Sequence, residues 1–68
     1  MEIFAERLLD LRKEKKISQA KLAKEIEVGY STICYWETDR AEPTAPNLVK
    51  LSFFFNVSVD YLLGLSDY

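Results

Sequence analysis

Ile17-Ser18-Gln19-Ala20-Lys21-Leu22-Ala23-Lys24-Glu25-Ile26-Glu27-Val28-Gly29-Tyr30-Ser31-Thr32-Ile33-Cys34-Tyr35-Trp36-Glu37 is the stretch on which the reading of this chain turns. Ser18 is a good N-cap for a short helix, 18–25, carrying Ala20, Leu22, Ala23 and Ile26. Gly29 can cap a further helix over about 29–37, and Val28 ahead of it can close a hydrophobic staple onto Ile33. Ala23 is small where the two helices meet, Ile26 fills beneath the turn, and Ile33 and Trp36 anchor the second helix from below. Two helices crossing steeply over a tight turn need this spacing.

With Ile33 set at zero and a step of about 100 degrees per residue, Trp36 falls at roughly 300 degrees, whereas Ser31, Cys34 and Tyr35 fall at roughly 160, 100 and 200. Those three point outward. Tyr30 sits at the exposed N-terminal end of the same helix.

Outward from this stretch the periodicity stays helical. Phe4, Leu8 and Leu11 recur at i, i+4 and i+7 and predict a helix over about residues 2–15. The segment Thr38 to Pro43 is polar and punctuated, so it reads as the longest loop. Thr44 can cap a fourth helix, with Pro46 tolerated in its first turn and Leu48, Leu51 and Phe55 facing inward. Ser58 can cap a last short helix bearing Val59, Leu62 and Leu63, ended by Gly64. No segment alternates at period two, so the expected fold is all-α, a compact five-helix bundle.

A chain of 68 residues allows one domain, 1–68, with a thin core and no room for a large catalytic apparatus. Composition is that of an ordinary globular protein, 49% hydrophobic and 29% charged. His is absent and Cys34 is the single cysteine, which excludes a Ser-His-Asp triad, a Cys/His nucleophile pair and any Cys/His zinc site. No metal and no cofactor are expected. One thiol forms no intramolecular disulfide, no apolar run approaches the roughly 20 residues of a membrane span, and the N-terminus carries no secretory pattern. A cytoplasmic location away from membranes follows.

The net charge of −2 argues weakly against a polyanionic partner until its distribution is considered. Residues 7–24 hold seven basic side chains against two acidic ones, whereas residues 25–68 hold two against seven. The molecule is polarised rather than acidic. Asp10 and Glu14, spaced i, i+4, read as a solvated helix face and not as a catalytic acid pair.

In this order and spacing, the chain resembles the lambda and phage repressor and Cro-like helix-turn-helix DNA-binding domains, often called the XRE family. The carriers are Arg7-Leu8, Leu11-Arg12-Lys13-Glu14-Lys15, Ile17 to Ala23, Ser31-Thr32-Ile33, Trp36-Glu37, Arg40, Glu42-Pro43, Asn47 to Leu51 and Phe54 to Gly64. The resemblance implies a lambda repressor-like bundle, a helix-turn-helix motif at about 18–37, and double-stranded DNA as partner. The third helix would lie in the major groove while the second crosses the backbone. Tyr30, Ser31 and Tyr35 would then face bases with Cys34 beside them, and Gln19 would contact phosphate through its amide side chain and backbone N–H. Ser18, Thr38, Arg40 and Thr44 are further phosphate candidates. The resemblance also implies that Arg12 pairs with Glu37, tying the first helix to the third. The residues agree, since Arg12 borders the first helix's apolar stripe and Glu37 lies about 40 degrees from Ile33.

Three positions depart from the family pattern: Glu27 stands at the turn position usually held by Gly, Gly29 where a Ser cap is usual, and Thr38-Asp39 where Asn-Gly is frequent. A left-handed backbone at Glu27 would cost about 1–2 kcal/mol. The outward positions 30, 31, 34 and 35 hold no Arg, Gln or Asn, the residues that make bidentate base contacts. Base readout should then lean on shape and apolar contact.

Phe53 and Phe54 fall on the flanks of the fourth helix, and Tyr61 is expected to be exposed on the fifth. An apolar patch of these three predicts self-association as a homodimer. The resulting reading is a dimeric, sequence-specific DNA-binding regulator, acting as a repressor. The rival is a protein-interaction module, antitoxin-like or a regulatory partner, that kept the fold with weak or no DNA binding; the acidic balance and Glu27 favour it. An enzyme stands third.

Overall fold

The computed structural model describes residues 1–67 and consists of five helices: α1 (Glu2–Lys15), α2 (Gln19–Ile26), α3 (Tyr30–Glu37), α4 (Ala45–Phe55) and α5 (Val59–Leu63). Helices α2 to α5 each begin at a residue that the sequence marks, whereas α1 starts after Met1 without a side-chain cap. The side chains of Ser18, Thr44 and Ser58 accept hydrogen bonds from the backbone N–H of Lys21, Asn47 and Tyr61 at 3.0, 3.4 and 2.9 Å. Such caps satisfy amides that the first helical turn leaves open. Gly29 opens α3 with the same extended backbone but no side-chain bond.

The three tight connections repeat one local structure. Lys16, Glu27 and Asn56 take left-handed backbone (φ 58°, 61° and 56°), an apolar residue follows, and the next residue is the extended N-cap. In each, the N–H of the apolar residue returns to a carbonyl five residues back: Ile17 to Arg12, Val28 to Ala23 and Val57 to Ser52. This satisfies carbonyls at the helix end and folds Ile17, Val28 and Val57 onto the core. The end of α3 follows suit with Asp39 at φ 60° and Arg40 N–H bonded to the Tyr35 carbonyl at 2.8 Å. Expected strain at Glu27 is thus present, and Lys16 shares it.

Phe4, Leu8, Leu22, Ile33, Leu51 and Leu62, one or two from each helix, are the fully buried side chains. Trp36 meets Phe4 edge to face at 6.1 Å between ring centres and joins the same core. α2 packs against α3 and α4, while α1 bridges α3 and α5. The inward stripes are those that the periodicity predicts, except that Leu11, Phe55, Val59 and Leu63 are only half-buried at the rim and Ala20 is exposed. Among the described residues, no helix is long and apolar enough to cross a membrane.

Candidate nucleic-acid interface

The core contacts of Ile33 and Trp36 turn the opposite side of α3 to solvent. Tyr30 is 57% exposed and Tyr35 48%, and Ser31 and Thr38 are exposed beside them. Cys34, on the same arc, is half-buried against α2.

A polar chain links this face to the bundle's interior. Arg12 grips Glu37 with two bonds, Nε to Oε2 at 2.6 Å and Nη2 to Oε1 at 3.1 Å, and its Nη1 donates to the Ile17 carbonyl at 2.9 Å. Both partners are largely desolvated, with side chains 14% and 3% exposed. Glu37, donating nothing and accepting from its neighbour, pushes the Arg12 guanidinium pKa further up. Gln19 Nε2 then donates to Glu37 Oε1 at 2.8 Å, and the Cys34 thiol donates to Gln19 Oε1 at 3.4 Å. Because a carboxylate only accepts, the amino end of Gln19 has to face Glu37. The Tyr30 hydroxyl pKa is raised chiefly by its hydrogen bond with Cys34.

The structure therefore brings Arg12, Glu37, Gln19, Cys34 and Tyr30 together. One Nε2 proton of Gln19 is given to Glu37, which leaves the second Nε2 proton and the backbone N–H at the helix's positive end as the donors Gln19 can offer an anion at the start of α2. The hydroxyl oxygens of Ser18 and Thr44 accept cap bonds, which leaves their protons to donate, whereas Thr38 Oγ1 donates to the Cys34 carbonyl at 2.8 Å. Arg40 is exposed on the loop after α3.

Two exposures differ from expectation. Phe54 is half-buried, edge-on to Phe55 at 5.0 Å with Lys15 over its ring at 5.3 Å. Tyr61 is half-buried beneath Arg7, whose guanidinium lies 4.2 Å from the ring centre. Both cations come from α1, which no pattern within α4 or α5 reveals. Phe53 is exposed at 82% and, with Tyr61, borders a groove of about 630 Å³ between α1, α4 and α5. Arg7 has a structural part that no local sequence pattern signals: it donates to the carbonyls of Tyr61 and Ser66 at the end of α5. Lys50 does the same for α2, reaching the Ile26 carbonyl at 3.4 Å.

A family model described as "Helix-turn-helix" matches residues 8–62. The HTH-type transcriptional regulator YobD of Bacillus subtilis (strain 168) is 37% identical over 65 residues, covering 96% of this chain and 58% of its own. Repressor protein C2 of Salmonella phage P22 is 40% identical over 62 residues, 91% of this chain and 29% of its own. The chain thus spans little more than half the length of the first relative and under a third of the second. A crystal structure of the P22 c2 repressor in complex with synthetic operator 9T superposes with a TM-score of 0.87 at 40% identity, over 93% of this chain and 96% of that one.

Proposed function

Since this chain belongs to the helix-turn-helix family, of the type found in phage repressors, we propose that it is a sequence-specific DNA-binding transcriptional regulator, a repressor, that lays α3 in the major groove. The observation that carries this reading is the free outward arc of Tyr30, Ser31 and Tyr35 on a helix braced from behind by Ile33, Trp36 and the Arg12–Glu37 pair. The fit to a repressor solved on its operator supports it.

In this reading Tyr30, Ser31 and Tyr35 meet bases, with Cys34 behind them. Backbone amides at the starts of α2 and α4, beside Ser18, Gln19 and Thr44, meet phosphates, together with Thr38 and Arg40. The protein is a binding module with no catalytic step and works in the cytoplasm of a bacterium. Two copies pair through Phe53 and the groove beside Tyr61, with Phe54 supporting from below; the 82% exposure of Phe53 supports that surface.

The deciding experiment is enrichment of bound duplexes from a random pool at several salt concentrations. A common motif with twofold-related halves, and binding that weakens with salt, are the expected results. Equal, salt-insensitive failure to retain any duplex would refute the reading.

A further inference from the structure

On the outward arc of α3 the Cys34 thiol and the Thr38 hydroxyl are engaged within the protein, and this bears on which bases the arc can read. Thr38 gives its hydroxyl proton to the Cys34 carbonyl, Cys34 gives its own to Gln19, and Gln19 is held at its other end by Glu37. Gln19 carries the carboxamide nearest this arc, and a carboxamide is the group that would grip adenine through two hydrogen bonds. One of its two amide protons is held by Glu37 and its oxygen accepts from Cys34, so the two-bond grip on adenine would require Gln19 to leave these partners. Glu37 is turned to Arg12 through both carboxylate oxygens, with Gln19 a second donor on Oε1.

What the arc offers a duplex is the two broad rings of Tyr30 and Tyr35, the methyl of Thr38 and the single hydroxyls of Tyr30, Ser31 and Tyr35, none of which can make a two-bond grip on a base. In the major groove, the base-edge group suited to an apolar ring or methyl is the 5-methyl of thymine. Resting on the DNA-binding reading above, we propose that this chain selects its sites by thymine 5-methyl groups packed against the rings of Tyr30 and Tyr35. Its sites then carry thymines in register on each half, and hydrogen-bonded guanine or adenine contacts are secondary.

The test replaces the thymines of an enriched duplex one at a time with deoxyuridine, which removes the methyl while keeping the pairing and the O4 acceptor. Each methyl sensed by the protein should then be worth about fourfold in affinity. Tyr35→Ala or Tyr30→Ala should abolish the thymine-to-uracil difference at the position that residue senses, whereas Tyr35→Phe and Tyr30→Phe should keep it. Thermal unfolding of each variant confirms that the fold persists. Uracil duplexes bound as tightly as thymine duplexes, with 7-deazapurines bound more weakly, would overturn the proposal and show hydrogen-bond readout instead. Failure to bind any duplex, with thymine or uracil, would overturn the DNA-binding reading itself and this proposal with it.

Discussion

Glu27 holds a left-handed backbone with φ 61° and ψ 47° at the corner between α2 and α3. A side chain there meets its own carbonyl, at a cost of about 1–2 kcal/mol. Its compensation is small, since the carboxylate is 81% exposed and lies 4.0 Å from Lys50 Nζ. Glu27→Gly should therefore stabilise the protein by about 1 kcal/mol, net of the extra freedom glycine has in the unfolded chain, and raise the thermal midpoint by about 5 °C. A lowered midpoint would mean that the Lys50 contact outweighs backbone strain. Glu37→Ala acts in the opposite direction. It leaves Arg12 desolvated without a carboxylate and frees Gln19, so unfolding should become easier by about 3 kcal/mol. Unchanged thermal unfolding would contradict the pairing. The two residues differ in how they could be read: Glu27 is conspicuous in the sequence because its position calls for glycine, whereas Glu37's second partner, Gln19, is 18 residues away and appears only once α2 and α3 cross.

At the scale of elements, the bundle is a chain of self-contained helices with start and stop signals, which is why the sequence placed all five. α5 is the exception in needing help from outside. It is five residues long, too short to be stable alone. Arg7 of α1 donates to the Tyr61 carbonyl in its last turn and to the Ser66 carbonyl just beyond it, and covers the Tyr61 ring. Gly64 closes it with φ 81°, and a Cβ there would stand 2.8 Å from Cγ2 of Ile3. Backbone strain and a clash with α1 thus coincide. Gly64→Ala should cost about 2 kcal/mol, and urea unfolding is the measurement. A cost under about 0.5 kcal/mol, the range of ordinary surface substitutions, would show that Ile3 moves away freely and that α5 is less tightly docked than its contacts imply.

For the whole molecule, charge and patch decide the behaviour. The basic side chains cluster in residues 7–24, yet Arg7, Arg12 and Lys15 are committed to Tyr61, Glu37 and Phe54, and Lys21 pairs with Glu25 at 2.8 Å. Few cations are left for phosphate. The logarithm of the DNA-binding constant should accordingly fall against the logarithm of salt with a slope of about −4, and a slope near −9, corresponding to about ten neutralised phosphates, would contradict this distribution. Helix order, caps, the inward stripes and the outward arc of α3 were determined by the sequence alone, because capping bonds and helical periodicity act within about four residues. The covering of Phe54 and Tyr61, the capping of α5 by Arg7 and the engagement of Gln19 belong to the tertiary structure. They join residues 18 to 59 positions apart, and such pairs meet only after the packing of Phe4, Leu22, Ile33, Leu51 and Leu62 has set the helices against one another.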